Sequence, residues 1–251
     1  KPGVRETAWS TVMDETMIKP SPSTRPPPMN RTLLLDAGNT LVYLDHGALA
    51  DLTGLHGPTL ATAEGEAKRV YERFLAQQAD HDDGWYVFMV ALLTAGGATG
   101  DIAGLVARVR QAHDRRNLWR RVPEGLPGAL SRAQAAGWRL GVVSNSEGKV
   151  SEILTEVGLA PFFEVIVDSG VEGISKPDPR LFQLALSRMG VPAAGAWYVG
   201  DVPSVDVVGA RNAGMQAALV DSLNHYPSYV DAPRYQETRQ LVDDLVSGAL
   251  R

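Results

Sequence analysis

From Pro123 onward the chain alternates short apolar runs with amphipathic stretches, and this alternation restricts the possible fold more than any other feature. Leu140 to Val143 reads as a strand closing on Ser144, Val165 to Val167 as one closing on Asp168, and Trp197 to Val199 as one closing on Gly200-Asp201. Ala217 to Val220 reads as a last strand. Between and beside them, Gly125 to Ala136, Val150 to Val157, Phe182 to Met189 and Val205 to Asn212 carry a helical period. They are stopped by Gly137, Gly158, Gly190 and Ala213-Gly214, residues that end helices readily. Strands alternating with helices of this kind predict βα units, hence an α/β fold with a mostly parallel sheet covered on both faces. One further apolar run, Thr32 to Leu35, ends at Asp36 far upstream, and a second apolar patch follows at Leu41 to Leu44.

The sequence divides accordingly. Residues 1–29, with Pro20, Pro22, Pro26, Pro27 and Pro28 among Ser, Thr and Arg, read as an extended arm or as sequence upstream of a start at Met29. Residues 30–45 and 117–222 form the expected core domain, and residues 46–116, helical throughout, form an insert after the first strand. Ala67, Val70, Tyr71, Phe74 and Leu75 share one helical face there, as do Trp85, Phe88, Met89 and Leu92. Residues 223–251 are read as a polar and aromatic segment followed by a helix from about Glu237 to Leu250, packing on the core.

Composition narrows the chemistry. The chain has no cysteine, so thiolate metal sites, thiol nucleophiles and disulfides are excluded, and any metal is held by oxygen or nitrogen. A net charge of −5 gives nucleic-acid binding no support. The basic run Arg108, Arg110, Arg115, Arg116, Arg120 and Arg121 reads first as a solvated helix face, and second as a surface steering a small anion. No apolar run approaches the length of a membrane span, and the expected setting is cytoplasmic.

Open α/β sheets bind ligands outside the carboxyl ends of their strands. Asp36, Ser144 and Asp201 close strands, and Lys176 lies in the loop beyond the strand ending near Asp168, so all four are expected on one rim. Asp36, Asp201 and Asp206 make an all-oxygen set suited to Mg²⁺. Lys176 would neutralise the carboxylates and an incoming phosphate, while Ser144 and the backbone N–H of Asn145 would hold its oxygens. A carboxylate in line with phosphorus can then act as nucleophile.

Asp36-Ala37-Gly38-Asn39-Thr40-Leu41, Val143-Ser144-Asn145, Ser175-Lys176-Pro177-Asp178-Pro179 and Val199-Gly200-Asp201 with Asp206 resemble the four signature motifs of the haloacid dehalogenase-like hydrolases. The resemblance covers residues 31 to about 222 and implies a Rossmann-like core with a helical C1 cap at residues 46–116. It implies a Mg²⁺-dependent hydrolase of small phosphorylated molecules, a monomer or homodimer. Asp36 would be nucleophile and metal ligand, Thr40 and Ser144 orienting groups, Lys176 the electrostatic clamp, and Asp201 a metal ligand supported by Asp206. The backbone carbonyl of residue 38 would be a further metal ligand.

Most phosphatases of the family carry a second Asp two residues after the nucleophile, which protonates the leaving group, whereas here that position is Gly38. The phosphonate-cleaving members have a small residue there and a cap lysine that forms a Schiff base, for which Lys68 is the only cap candidate. The dehalogenases have an aromatic residue there and need no metal. A catalytically weak binding or interaction protein is the other reading. Asp45 and His46 are the nearest candidates to replace the missing acid, and Trp85, Tyr86, Phe88 and Met89, beside His81, Asp82 and Asp83, mark the expected substrate-facing part of the cap.

Overall fold

A computed structural model describes residues 31–77 and 84–250. The chain opens with β1 (Thr32–Leu35) and β2 (Tyr43–Leu44), continues through α1 (His46–Thr53), α2 (Gly57–Gln77), α3 (Gly84–Ala95) and α4 (Ile102–Arg115), and returns by β3 (Trp119–Arg121). Then come α5 (Leu126–Ala135), β4 (Arg139–Ser144), α6 (Val150–Glu156), β5 (Val165–Asp168), α7 (Ser169–Glu172) and α8 (Pro179–Met189). The chain finishes with β6 (Trp197–Gly200), α9 (Val208–Asn212), β7 (Gln216–Val220), β8 (Arg234–Tyr235) and α10 (Thr238–Ser247).

Six strands form one sheet in the order β5-β4-β1-β6-β7-β8, and every neighbouring pair is parallel. The period of two in each strand sorts its side chains between two cores. Leu33, Leu35, Leu140, Val142, Trp197, Val199, Ala218 and Val220 face one core, which α5, α6 and α10 cover. Leu34, Val143, Tyr198, Ala217 and Leu219 face the other, which α8 and α9 cover. Burial on both faces explains why these strands are continuous apolar runs without polar alternation. Gly141 is required by close packing: a Cβ there would lie 2.7 Å from Leu34 Cδ2 and 3.2 Å from Met189 Sδ.

β1 is central, flanked by β4 on one side and β6 on the other, so the chain reverses its direction of sheet growth beside it. This switch point places the ends of β1, β4 and β6 next to one another. Helices α1 to α4 make a separate layer with its own apolar cluster, including Leu49, Leu60, Ala67, Met89, Leu92, Val106 and Val109. The two segments joining this layer to the sheet pair with each other, β2 antiparallel to β3, and contribute Leu44 and Leu118 to that cluster. No helix among the described residues is long and apolar enough to cross a membrane.

Three details differ from the sequence reading. Of the apolar patch Leu41 to Leu44, only Tyr43 and Leu44 form a strand, because Leu41 and Val42 turn back to bond the Ala37 carbonyl at 2.9 Å each. The segment Val205 to Asn212 is not one helix: Pro203–Val207 is a wide π-type turn and α9 starts after it. The last helix ends at Ser247, where Gly248 takes a left-handed conformation (φ 76°) and its N–H caps the carbonyls of Asp244 and Leu245. Residues 1–29 and His81, Asp82 and Asp83 lie outside the described residues.

Asp45 begins α1, where its Oδ1 accepts the N–H of Ala48 at 3.0 Å and its Oδ2 lies 3.3 Å from Arg120 Nε of β3. The cap bond, with help from Arg120, holds its carboxyl below the usual carboxylate range. Asp45→Ala is expected to cost about 1 kcal/mol at neutral pH, read as a melting temperature lower by about 2–4 °C. The carboxyl is depressed in the folded state, so this contribution is present above the ordinary Asp pKa and fades as pH falls through the folded value. Wild type and variant should therefore converge in acid.

Candidate active site

The rim at the ends of β1, β4 and β6 gathers Asp36, Ser144, Lys176, Asp201 and Asp206, all buried. Asp36 follows β1 directly, and its N–H donates to the Val199 carbonyl of β6 at 2.8 Å, so its backbone extends the sheet by one bond. The loop behind it is tight: Leu41 and Val42 donate to Ala37 O, and Asn39 adopts a left-handed φ of 52°, which Asn tolerates better than most residues. Gly38, in contrast, has no left-handed φ, and the nearest atom to a Cβ there is Trp119 Cδ1 at 3.9 Å. The backbone and the surrounding space do not demand glycine at 38, so what the position lacks is a functional group.

Lys176 is 2% exposed, and its ammonium donates to Asp36 Oδ1 (2.8 Å), Asp206 Oδ1 (2.7 Å) and the Tyr198 hydroxyl (2.8 Å). These are all the donors a lysine has. Burial works against the ammonium, and the carboxylates of Asp206 and Asp36 outweigh it, so the Lys176 pKa lies above the ordinary lysine value. Burial raises Asp36 to about 6, opposed by Lys176 and helped by the charges of Asp206 and Asp201. The main chain of Lys176 is fixed by the Asn145 side chain, which accepts its N–H at 2.8 Å and donates to its carbonyl at 3.0 Å.

Asp206 Oδ2 accepts the backbone N–H groups of Asp201 (2.9 Å) and Val202 (2.8 Å), so the π-type turn folds this carboxylate back over the end of β6. Gly200 makes that possible, because a Cβ there would lie 2.2 Å from Asp206 Cγ. Asp201 Oδ2 meets two donors, Asn39 Nδ2 at 3.2 Å and Lys68 Nζ at 2.8 Å. Asp36, Asp201 and Asp206 each offer a carboxylate oxygen within 4.8 Å of the others. Three buried carboxylates against the two ammonium groups of Lys176 and Lys68 leave one formal negative charge. An all-oxygen donor set with uncompensated negative charge fits a hard divalent cation.

A cavity of about 350 Å³ lies between this rim and the helical layer. Asp36, Gly38, Ser144, Asn145, Lys176, Asp201 and Asp206 line its sheet side, and Lys68, Tyr71, Trp85, Phe88 and His113 its helical side. Of the other residues read from the sequence, Thr40 is fully buried behind the loop, away from the cavity lining, and its carbonyl accepts from Thr238 Oγ1 at 2.6 Å. Asp45 and His46 do not line the cavity: Asp45 caps α1, and His46 Nε2 lies 2.8 Å from Glu64 Oε2. Tyr86 is 48% exposed and points away, while Trp85 and Phe88 are in the lining.

Sequence context does not single out Tyr198, His113 or Glu147, which have partners in the site. Tyr198 sits mid-strand in an apolar run, yet its hydroxyl accepts from Lys176 and donates to the Val143 carbonyl at 2.9 Å. His113 of α4 and Glu147 after β4 both line the cavity and meet at 3.7 Å, with Arg110 bonded to the same carboxylate at 2.7 Å. Arg116 pairs with Glu156 at 2.6 Å, so the basic run is partly spent on joining the helical layer to the core. Lys68 and Tyr71 stand one turn apart on α2 and both reach the cavity, a spacing visible in the sequence once α2 is known to cover the rim.

Comparison with known proteins agrees with this geometry. Residues 31–214 match the family described as haloacid dehalogenase-like hydrolase. A phosphoserine phosphatase of Thermus thermophilus is 40% identical over 54% of this chain and 53% of its own length. The haloacid dehalogenase-like hydrolase domain-containing protein 3 of Bos taurus is 31% identical over 76% of this chain and 81% of its own. The chain thus spans about half the length of the Thermus protein and most of the bovine one. In fold it is similar to the magnesium-bound HAD-hydrolase YfnB of Bacillus subtilis, with a TM-score of 0.61, 23% identity, and coverage of 87% of this chain and 99% of that one. On the family match over most of its length, carried by the same strand ends that build the rim, this chain belongs to the haloacid dehalogenase-like hydrolases.

Proposed function

We propose that this protein is a Mg²⁺-dependent hydrolase of small phosphorylated molecules that works through a phosphoryl group carried on Asp36. The observation that carries the reading is the set of contacts around Lys176: one ammonium holds Asp36 and Asp206 together in the lining of the cavity, leaving Asp36 Oδ2 without a bond to that lysine. That oxygen is the nucleophile. It forms a bond to phosphorus as the ester P–O bond breaks and the electron pair stays on the departing oxygen. Water then attacks phosphorus, the Asp36–phosphorus bond breaks, and inorganic phosphate leaves with the carboxylate restored.

Lys176 orients Asp36 and offsets the charge gathering around phosphorus, while the Ser144 hydroxyl and the Asn145 N–H hold its non-bridging oxygens. Asp36, Asp201 and the Gly38 carbonyl would hold Mg²⁺, which would supply positive charge to the phosphoryl oxygens. Both oxygens of Asp206 are already engaged, by Lys176 and by two backbone N–H groups, which fits a supporting part. The helical layer at residues 46–116 acts as the cap. Its Trp85, Phe88 and Tyr71 face the cavity and surround the leaving group, which limits substrates to small molecules. The phosphoserine phosphatase among its relatives supports a small phosphorylated substrate.

Gly38 favours a second reading, in which the site binds but turns over weakly, and the same experiments separate the two. With Mg²⁺, wild type is expected to hydrolyse an aryl phosphate, chelation to abolish the reaction, and Asp36→Asn to remove it. An absence of Mg²⁺-dependent turnover above the Asp36→Asn background on both aryl and alkyl esters would sink the hydrolase reading. At position 38 a Cβ would come no closer than 3.9 Å to Trp119 Cδ1, ordinary van der Waals contact, so Gly38→Asp starts without a clash. It should raise the alkyl-ester rate by about 10²- to 10⁴-fold while changing the aryl-ester rate little, measured as kcat/KM on matched substrates.

A further inference from the structure

Lys68 has no part in the steps above, yet it is one of the two ammonium groups buried at the rim. The residue is 5% exposed and reaches from α2 across to the core, where its Nζ donates to the Asp201 carbonyl at 2.7 Å and lies 2.8 Å from Asp201 Oδ2. Of its three N–H donors, two are used on Asp201, and the third has no hydrogen-bond partner among the described residues. The ring of Tyr226 lies 5.4 Å from Nζ, and the side chain lines the cavity. Docking a helix on the core does not require a buried charge, since apolar side chains of similar volume do this at least as well. Something about the cavity is served by placing an ammonium here.

Its position relative to Gly38 suggests what. Asn39, the residue after Gly38, donates its side-chain N–H to the same Asp201 Oδ2 at 3.2 Å, so Lys68 and the loop that lacks its acid meet on one oxygen atom. The 2.8 Å contact with the Asp201 carboxylate is a charge-assisted pair, which gives the ammonium a fixed counter-ion.

We infer that Lys68 does with a fixed charge what an acid at position 38 would do with a proton: its free N–H pairs with the oxygen that leaves phosphorus. The inference rests on the phosphoryl-transfer reading above. As the Asp36 oxygen bonds to phosphorus and the ester P–O bond breaks, the leaving oxygen takes the electron pair and becomes an anion hydrogen-bonded to Lys68. It takes its proton from water on release, and Lys68 ends the step charged as it began. Lys68 is thereby the catalytic residue that the helical layer contributes, and the preferred substrates are those whose leaving oxygen is stable as a paired anion.

The test is kcat/KM at saturating Mg²⁺ for a series of phosphate monoesters running from nitrophenyl through phenyl to alkyl, with wild type, Lys68→Met and Lys68→Arg. Lys68→Met should lose about 10-fold on the nitrophenyl ester and about 10²- to 10³-fold on poorer leaving groups, steepening the dependence on leaving-group basicity. Lys68→Arg should recover most of the loss. Parallel lines, with every substrate losing the same factor, would mean that Lys68 only holds the helical layer on the core, and the inference would be overturned. Should Lys68→Met melt too low to assay, the slopes of Lys68→Gln and Lys68→Arg decide in the same way. If wild type itself turns over none of the series above Asp36→Asn, the phosphatase reading fails and this inference with it; active wild type with parallel slopes defeats the inference alone.

Discussion

Three carboxylates buried within 4.8 Å of one another repel, and the Lys176 ammonium offsets that repulsion between Asp36 and Asp206, as Lys68 does at Asp201. The place of Lys176 is fixed from two directions. The Asn145 side chain grips its backbone from the end of β4, and the Tyr198 hydroxyl, pinned to the Val143 carbonyl, receives its third N–H from β6. Strands on both sides of β1 therefore converge on one nitrogen atom. Removing one partner from a buried pair of this kind typically costs about 3–5 kcal/mol, because the remaining charge is stranded out of water. The geometry around Asp36 thus depends on electrostatics as much as on the sheet, and the sheet order matters because it brings those strand ends together.

How far the sequence reveals such a site depends on whether a residue's partner is fixed by a rule or only by contact. Asp36, Ser144 and Asp201 are legible because parallel strands flanking a switch point end on the same rim whatever their distance in sequence. Lys176 follows because the loop after β5 opens on that rim. Tyr198 is not legible: in Trp197-Tyr198-Val199 it reads as one more apolar strand residue, and only the Lys176 ammonium beneath its hydroxyl gives it a second role. The two-residue strand β8 and the three-residue β3 are too short for any period to show, and they exist because neighbouring strands offer free edges. Asp45 misleads for a similar reason, since a polar residue beside an active-site loop is also what starts a helix, and here it starts α1.

The charge on the cavity wall is divided between two bodies that the chain must bring together. The sheet rim carries three carboxylates and one ammonium, and the second ammonium, on Lys68, arrives only when α2 lies against Asp201. The cap reading therefore links enclosure to electrostatics: a cavity opened at α2 would lose both its aromatic wall and one of its two cations. Besides the buried Lys68–Asp201 contact, exposed polar contacts join the layers: Arg110 meets Glu147, and Lys149 Nζ donates to the Asp114 carbonyl at 3.1 Å. Exposed or half-exposed ion pairs contribute little each, so the buried Lys68–Asp201 pair is the stronger polar tie between the layers. The paired strands β2 and β3 are the segments by which the chain enters and leaves the helical layer.

Gly38 gains its meaning from this division. A carboxyl side chain there would belong to the sheet side and would be present whether or not the helical layer had closed. With glycine, position 38 has no side-chain group to offer the departing oxygen, and on the proposed reading Lys68 of α2, which meets Asn39 on Asp201 Oδ2, would supply it. On that reading, leaving-group stabilisation and exclusion of water would both depend on α2 lying against Asp201. A phosphoryl group on Asp36 would be formed only inside a closed cavity, and substrates too large to close upon would be rejected at the chemical step, whatever their affinity for the open rim.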